Sequence, residues 1–514
     1  MSLPLRIALN FKAFVVMCLL AGPVLADDRI ALVIGNGDYL YVPKLQNSVN
    51  DARKISETLA GIGFEVTTLL DAPRDEIVDA MADFSFRSEV ADLALVYYAG
   101  HGVAVEGRNF LIPVDALIRR NSELLSQAID MNDLLASVDR ARKMRIVILD
   151  SCRNNPFPGG LETEPEVGAR SVPQGSAGAG EGAPQATARD LATGLAPASP
   201  DRGTLVAFAA KDGAVAFDGT TGNSPFALAL ADKLSQPGLE ISLMFRQVRD
   251  DVMAATGNMQ EPHTYGALSG VPFYLAGTEE ERGALDAANP AEAWSRIKPE
   301  QEEQIAVLAE AGDPRAMLGL AYMRLFPESS DYDAETAAVW LQKAVAVGSA
   351  EAEFELARLY ENGIGVPADP VRALELYQSS AAQGFPDAVN EIGFFTFTGS
   401  LGVPLDQTRA LELFRKAADL DQPEALFNVA SFIDDGHIAD AGPADAAAYL
   451  YRALRLGSDK VLEALSTQSQ SFKIETRKAL QEDLRDNGFY SGPVDGDFGA
   501  GTVKSLRMAF GLIG

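Results

Sequence analysis

The feature that most constrains this chain is an internal repeat of 36 to 37 residues within residues 301–460. Alanines that begin similar helical patterns recur at spacings of 36, 36 and 37 residues, and aromatic residues one helix later recur every 37 residues. Repeats of this length form helix pairs that bury one face against the next pair, so residues 301–460 are predicted to form an α-helical solenoid. The alanines are Ala316, Ala352, Ala388 and Ala425, and the aromatic residues are Trp340, Tyr377, Phe414 and Tyr451.

The segment before the repeats alternates strand-like and helix-like patterns, which indicates an α/β domain over residues 27–278. Several of the strand candidates are continuous apolar runs, as expected for a mostly parallel six-stranded sheet that lies between helices. Helical patterns such as 48–61 and 74–86 separate the strands. The strand candidates are residues 29–35, 64–69, 92–98, 144–149, 204–209 and 272–276.

Residues 157–202 interrupt this pattern. Glycine, proline and alanine supply half of the segment, and Phe157 is its only aromatic residue. Such a composition buries too little apolar surface to offset the entropy lost on ordering. Because a strand pattern resumes at Thr204, the segment is predicted to be a flexible linker inside the α/β domain.

Two further segments complete the predicted organisation. Residues 279–300 are interpreted as a connector, and residues 473–514 as a small helical C-terminal domain. In the latter, a helix with Leu480 and Leu484 precedes a turn-rich stretch, and a second helix starts at Thr502. The whole chain is therefore predicted to be an α/β domain, a helical solenoid and a small helical domain in that order.

The N-terminus has the pattern of an export signal. Arg6 and Lys12 precede a short apolar core, and small residues at Val24 and Ala26 suit a signal peptidase. We therefore expect residues 1–26 to be removed and the protein to be periplasmic or secreted, with no stable membrane span. An uncleaved N-terminal anchor is the alternative. The formal net charge of −29 argues against binding to nucleic acid or to anionic membrane surfaces.

Cleavage would remove Cys18 and leave Cys152 as the single cysteine, so no intramolecular disulfide could form. Cys152 follows one predicted strand in the stretch RIVILDSC, and His101 follows another in LALVYYAGHG. If these strands are parallel neighbours, the thiol and the imidazole meet at the carboxyl edge of the sheet, where the imidazole can assist formation of a thiolate nucleophile. A buried structural cysteine and a turn histidine are the alternatives. Three histidines and one mature cysteine form no recognisable metal-ligand spacing, so no metal site is predicted.

Histidine precedes cysteine by 51 residues, and this order resembles that of the caspase fold. Across residues 29–277 the chain resembles bacterial caspase-like and metacaspase-type peptidases of clan CD. The motifs that carry the resemblance are ALVIGNGDY, NSVNDARKISETLAGIGFEV, YYAGHG, ILDSCRNNPF and AFAAKDGAVAFDG. The Asp-Ser-Cys form departs from the animal-caspase pattern and favours the metacaspase side, where cleavage follows basic residues.

The resemblance implies roles for individual residues. It assigns Cys152 as the nucleophile and His101 as its acid–base partner, with the backbone N–H groups of Gly102 and Cys152 as the oxyanion donors. Asp51 corresponds to an acidic pocket residue of metacaspases, and Asp150 lies beside the predicted nucleophile. Two carboxylates in one pocket repel each other unless a cation lies between them, so arginine or lysine is the expected occupant. Helix or turn capping is the alternative role of each aspartate.

The repeats resemble Sel1-like repeats in stretches such as AEFELARLYENGIGVPADPVRALELYQSSAAQG, and this resemblance implies binding of a protein partner. The C-terminal DGDFGAGT resembles the peptidoglycan-binding domain, which implies affinity for the cell wall; a structural cap on the solenoid is the alternative.

The expected function is that of a cysteine endopeptidase that needs no cofactor, whose substrates are proteins or peptides; whether calcium activates it is open. A non-enzymatic secreted adaptor, or a cell-wall-associated scaffold acting through the repeats, is the competing hypothesis.

The sequence predicts that the linker at 157–202 is cut during maturation. It follows Cys152 closely and offers Arg170, Arg189 and Arg202 as basic cleavage sites. Active protein should yield fragments that are absent from Cys152→Ala expressed identically, as resolved by mass spectrometry. Equal fragmentation of both proteins would assign the cuts to other proteases.

Overall fold

The computed structural model describes residues 29–511 except residues 90, 106, 153–155, 158–202, 212–215, 221, 267, 269–270 and 278–289. The backbone of Cys152 is described, but its side chain is not. The predicted signal peptide and, apart from Phe157, the predicted flexible linker lie outside the described residues. The chain divides into two compact units, one with residues 27–268 and 275–278 and the other with the repeats and the C-terminal segment.

The first unit is a mostly parallel sheet between helices, as predicted. Its main path has the strand order β2-β1-β3-β6-β7-β8, in which only β8 runs antiparallel to its neighbour. Two short strands, β4 and β5, extend this sheet from the far end of β3. The strands are β1 Arg29–Gly35, β2 Glu65–Leu70, β3 Leu93–Val105, β4 Arg108–Leu111, β5 Ile129–Asp130, β6 Met144–Cys152, β7 Thr204–Phe208 and β8 His263–Gly266.

Helices cover both faces of the sheet. One apolar core joins α2 and α4 to alternate residues of the central strands, such as Val96 and Val147, because successive strand residues point to opposite faces. On the other side α1 packs against α5, and α5 packs against α6. The helices are α1 Ser48–Gly61, α2 Arg74–Ser88, α3 Leu124–Gln127, α4 Met131–Val138, α5 Pro225–Leu234 and α6 Ile241–Ala255.

Two sequence-based expectations about the strands are wrong. Residues 272–276 do not form a strand; the sheet instead ends in β8. The side chains of Phe273 and Leu275 are nevertheless buried, and a short apolar run cannot by itself distinguish a strand from a buried irregular segment. In addition, β3 and β6 continue through His101 and Cys152, which were expected just beyond the strand ends. The reason is that the apolar residues of both strands end before their backbone hydrogen bonding ends.

The second unit is a series of helix pairs followed by two C-terminal helices. In the described part of the predicted connector, residues 290–300, lie a short helix, α7, and the beginning of α8. Its helices are α7 Pro290–Trp294, α8 Pro299–Glu310, α9 Pro314–Met323, α10 Ala334–Ala346, α11 Ala350–Asn362, α12 Pro370–Ala382, α13 Pro386–Thr398, α14 Gln407–Asp419, α15 Pro423–Asp435, α16 Pro443–Arg455, α17 Asp459–Thr467, α18 Ile474–Asp486 and α19 Ala500–Phe510.

The repeated residues fill the interfaces between helix pairs. All four repeated alanines are buried, which permits close helix approach. Of the repeated aromatic residues, Tyr377 and Phe414 are fully buried, whereas Trp340 and Tyr451 at the two ends are only half-buried. An inner repeat has a neighbour on each side, so its aromatic ring has more surface to pack against.

The C-terminal segment shares its core with the last repeats. Leu480, Leu484 and Leu506 belong to the same apolar cluster as residues of α15 and α16. The buried Asp434 at the end of α15 accepts hydrogen bonds from the backbone N–H of Lys473, at 3.1 Å, and from the hydroxyl of Thr476, at 2.5 Å. The segment therefore closes the apolar end of the solenoid. Every helix within the described ranges is too short or too polar for a membrane crossing.

Asp434→Ala is expected to destabilise the repeat unit by about 1–3 kcal/mol, because the Thr476 hydroxyl and the Lys473 N–H lose their buried acceptor. Calorimetry on the full chain should show a lower midpoint for the transition of that unit. Asp440→Ala, a change at an exposed aspartate five residues beyond α15, serves as the matched control. Identical melting of both variants would show that the contact does not hold the cap in place.

Candidate active site

His101 and Cys152 lie opposite each other on adjacent parallel strands. The register pairs Ala99 with Asp150, Gly100 with Ser151 and His101 with Cys152. The expected adjacency and direction of the two strands are thus observed. Because the register fixes the backbone positions, the two residues share one edge of the sheet, although the side chain of Cys152 lies outside the described part of the structure.

The His101 imidazole is buried and has one hydrogen-bonded nitrogen. Its Nε2 lies 2.7 Å from the carbonyl oxygen of Pro43, and its ring packs at 4.6 Å from the ring of Tyr39. A carbonyl only accepts hydrogen bonds, so Nε2 carries the proton and Nδ1 of the neutral ring has a free lone pair. Within the described residues, Nδ1 has no hydrogen-bond partner. Burial lowers the pKa of His101, which favours this neutral form.

Two tyrosine hydroxyls hold the backbone of His101. The His101 N–H donates to the Tyr39 hydroxyl at 2.7 Å, and the Tyr98 hydroxyl donates to the His101 carbonyl at 2.8 Å. A Cβ at Gly100 would lie 2.6 Å from both hydroxyl oxygens, so only glycine fits there. Tyr39 and Tyr98 were not identified as functional residues from the sequence. For Tyr98 the available signal was its position directly before the AGHG stretch, where its hydroxyl can reach the His101 backbone.

The backbone of Gly102 faces the strand that carries Cys152. The His101 N–H bonds to Tyr39 and its carbonyl accepts from the Ile112 N–H, so both backbone groups of His101 point away from β6. Backbone groups of successive strand residues alternate in direction, which turns the Gly102 N–H toward β6. This orientation is compatible with the expected oxyanion role of Gly102, which stays a prediction.

Asp51 and Asp150 converge on one residue, Ser224, at the N-terminus of α5. The Ser224 backbone N–H donates to Asp51 Oδ1 at 2.9 Å, and its hydroxyl donates to Asp150 Oδ2 at 2.6 Å. Asn223 adds a side-chain bond to Asp51 at 2.8 Å, and Tyr97 adds one to Asp150 at 3.1 Å. These four bonds all join the carboxylates to residues outside α1 and outside the segment after β6, so helix or turn capping does not describe them.

A third carboxylate, Asp218, stands near this pair and was missed by sequence reasoning. Its Oδ2 accepts from the Gln46 N–H at 3.0 Å, and its carbonyl accepts from the Asn47 side chain at 2.5 Å. Burial is the main cause of the raised pKa values of Asp51 and Asp150, and the charge of Asp218 raises both further by repulsion. The only available signal was an aspartate in the stretch AFAAKDGAVAFDG.

Burial and mutual repulsion raise the pKa of both aspartates toward neutral pH. The pKa of Asp51 is raised to about 6, mainly by burial. The pKa of Asp150 is raised to about 7, first by burial and then by the charge of Asp51. A cation placed between them would offset both causes, since it supplies the opposite charge that the buried carboxylates lack. Within the described residues no group of three or more His, Cys, Asp or Glu side chains gathers closely enough to hold a metal ion.

Comparison with known proteins divides the chain into three familiar parts. The caspase domain matches residues 28–273, the Sel1 repeat matches residues 314–349, 350–385, 386–422 and 423–458, and the peptidoglycan binding domain matches residues 474–509. The predicted resemblances to caspase-like peptidases, Sel1 repeats and peptidoglycan-binding domains are confirmed.

Curated relatives match about a quarter of this chain. The mucosa-associated lymphoid tissue lymphoma translocation protein 1 homolog of Mus musculus is 33% identical over 132 residues, which is 26% of this chain and 16% of that protein. Paracaspase of Dictyostelium discoideum is 31% identical over 134 residues, 24% of this chain and 31% of that protein. The chain thus spans less than a third of the length of these relatives.

Two solved structures align to parts of this chain. A Sel1 repeat protein from Oxalobacter formigenes covers 41% of this chain and 98% of its own, with 20% identity and a TM-score of 0.28. Caspase-1 from Spodoptera frugiperda covers 49% of this chain and 92% of its own, with 17% identity and a TM-score of 0.33.

The raised pKa values predict that affinity for basic ligands depends on pH. As pH falls through the window from about 7 to about 6, Asp150 and then Asp51 take up protons and lose their charge, so KM for a peptide with arginine at the cleaved position should rise. Asp51→Asn removes a charge that raises the pKa of Asp150 and should move this rise to lower pH. Asp79→Asn, at an exposed position on α2, should leave the profile unchanged. A KM that is constant across the window would contradict the assignment of the pocket.

Proposed function

We propose that this chain, which carries a caspase-like domain, Sel1 repeats and a peptidoglycan-binding-like unit, is a cysteine endopeptidase that cleaves after arginine or lysine. The observation that carries the proposal is the register that pairs His101 with Cys152, two residue pairs beyond the Ala99–Asp150 pair. One sheet edge thereby combines an acid–base histidine, a cysteine and a buried acidic pair.

In the proposed reaction, Nδ1 of the neutral His101 accepts the proton of the Cys152 thiol. The thiolate forms a bond to the carbonyl carbon of the substrate, and the oxyanion that results accepts hydrogen bonds from the Gly102 and Cys152 N–H groups. The C–N bond then breaks, and the imidazolium gives its proton to the leaving amine. Water, deprotonated by His101, hydrolyses the thioester and releases the acid product and the free thiol.

The Pro43 carbonyl supports both stages of this cycle. It accepts from Nε2, fixes the ring orientation and stabilises the imidazolium that forms when Nδ1 takes up a proton. Its bond also opposes the effect of burial on the His101 pKa, since it favours the charged ring. The histidine can therefore accept a proton and return it within one turnover, as a general acid–base group must.

Specificity is proposed to come from Asp51 and Asp150, with Asp218 close by. A guanidinium or ammonium group restores the charge balance of the buried pair, whereas an acidic residue at the same position would add a third repulsive charge. Arginine should be favoured over lysine, because its planar fork can donate to two carboxylates at once.

The other parts of the chain are proposed to direct the peptidase. The four Sel1 repeats supply a surface for a protein partner, and the peptidoglycan-binding-like unit, in addition to closing the solenoid, supplies affinity for the cell wall. These proposals are consistent with an exported protein, periplasmic or secreted, whose signal segment is residues 1–26, and with catalysis that requires no cofactor. A purely adaptor role would give His101 and Cys152 no part in the function of the protein.

Cys152→Ala and His101→Ala are each expected to lower kcat/KM by about a thousandfold or more, because each removes one half of the nucleophile–base pair. Fluorogenic peptides that differ only at the cleaved position, with Arg, Lys, Asp or Leu, measure both activity and specificity. His263→Ala, at an exposed position on β8, is the matched histidine control.

Arginine and lysine peptides should be cleaved and aspartate peptides should not. Full activity of Cys152→Ala would refute the enzymatic mechanism, and no activity in the folded wild-type protein would favour the adaptor. Equal cleavage of all four peptides would show that Asp51 and Asp150 do not determine specificity at the cleaved position.

A further inference from the structure

Ser224 is the one residue in the described part of the chain that hydrogen-bonds to both pocket carboxylates. Its backbone N–H bonds to Asp51 Oδ1 and its hydroxyl bonds to Asp150 Oδ2, and the side chain of Ser224 is itself buried. The same hydroxyl oxygen accepts from the Ala227 N–H at 2.9 Å and caps α5. Because α5 begins here, the Ser224 position is fixed by the helix rather than by a flexible loop.

The bonds fall on one oxygen of each carboxylate. Asp51 Oδ1 accepts from Asn223 and Ser224, and Asp150 Oδ2 accepts from Tyr97 and Ser224. Within the described part of the chain, the second oxygen of each carboxylate accepts no hydrogen bond. These two oxygens, one on each side chain, are acceptors that a ligand in the pocket could use.

We infer that Ser224 determines the specificity of the pocket: it anchors the inner oxygen of each carboxylate so that the two outer oxygens face a guanidinium, and the pocket thereby selects arginine over lysine. A guanidinium carries N–H groups on separate nitrogens that diverge toward two carboxylates, whereas an ammonium has one nitrogen. Ser224 is a positioning residue, because it acts through Asp51 and Asp150 and not on the reacting atoms. The inference rests on the proposed function, whose pocket it explains.

The same contacts set the charge of the pocket. Asp150 is faced by Asp51 from α1, by Tyr97 from β3, by Asp218 from the segment before α5 and by Ser224 from α5 itself. The bonds from Ser224 and Tyr97 lower the Asp150 pKa, while burial, Asp51 and Asp218 raise it. Loss of either bond would raise the pKa further and leave Asp150 protonated at neutral pH. Protonated Asp150 would bind a cation more weakly, and this loss of affinity would be recovered at higher pH. A loss of affinity caused by unfolding would not be recovered.

The test measures binding of agmatine, a guanidinium probe, and of cadaverine, an ammonium probe, to the full-length protein by calorimetry, and so does not depend on turnover. Ser224→Ala is expected to bind agmatine about tenfold more weakly near pH 7, with a smaller loss for cadaverine. Binding of agmatine should recover near pH 9, where Asp150 ionises again. Ser224→Thr, which keeps the hydroxyl, should behave like the wild-type protein.

Two further variants separate the effect on the pocket from the effect on the helix cap. Ser349→Ala removes an equivalent serine cap, from α11 in the repeats, and should change neither binding constant. Tyr97→Phe removes the other donor to Asp150 and leaves the α5 cap in place, so it should reproduce the pH-dependent loss even if Ser224→Ala fails to fold.

Unchanged agmatine binding and an unchanged pH profile in Ser224→Ala would overturn the inference, as would a loss that about pH 9 does not recover. If Ser224→Ala does not fold, an unchanged profile in Tyr97→Phe overturns it instead. Wild-type protein that cleaves after arginine while Ser224→Ala retains its preference would refute this inference and leave the proposed function intact. Wild-type protein that neither binds agmatine nor cleaves after arginine would refute the acidic pocket itself.

Discussion

The parallel pairing of β3 with β6 is the interaction on which the site depends. Its hydrogen-bonded register continues beyond the apolar part of both strands, through Ala99 with Asp150 to His101 with Cys152. Each step along a strand advances the backbone by about 3.3 Å and reverses the side chain, so the register alone fixes which residues share a level and a face. A shift by one residue would move Asp150 and Cys152 to the wrong faces together.

The consecutive tyrosines of β3 show how this alternation serves two tasks. Tyr98 belongs to the core on the α2–α4 face and bonds to the His101 carbonyl, whereas Tyr97 points the other way and bonds to Asp150. Both rings are buried, so each hydroxyl needs a partner and finds it in the backbone or the pocket. Tyr98 therefore holds the His101 backbone from one face of the strand, and Tyr97 contacts Asp150 on the face that His101 and Cys152 share with it.

In the second unit, cooperation between neighbours replaces a single core. Each helix pair buries its apolar face against the next, and the C-terminal helices contribute Leu480, Leu484 and Leu506 to the cluster that the last repeats begin. A solenoid needs such a closing element because its terminal pair would otherwise expose an apolar face to water. The peptidoglycan-binding-like unit is therefore a structural part of the solenoid, whatever it binds in addition.

The sequence by itself determined the order of the parts, the helix pairs and the buried parallel strands, because periodicity in one dimension reports which faces are buried. It also indicated His101, Cys152, Asp51 and Asp150 as candidates, since these residue types stand out at strand ends and in motifs. Only the tertiary structure decided that β8 rather than residues 272–276 ends the sheet, and that Ser224, Tyr39 and the Pro43 carbonyl contact those candidates. These partners lie far from the candidates along the chain: Ser224 is 74 residues from Asp150 and 173 from Asp51. Hydrogen bonds over such separations leave no periodic trace in the sequence, because their geometry exists only once the sheet and α5 have packed.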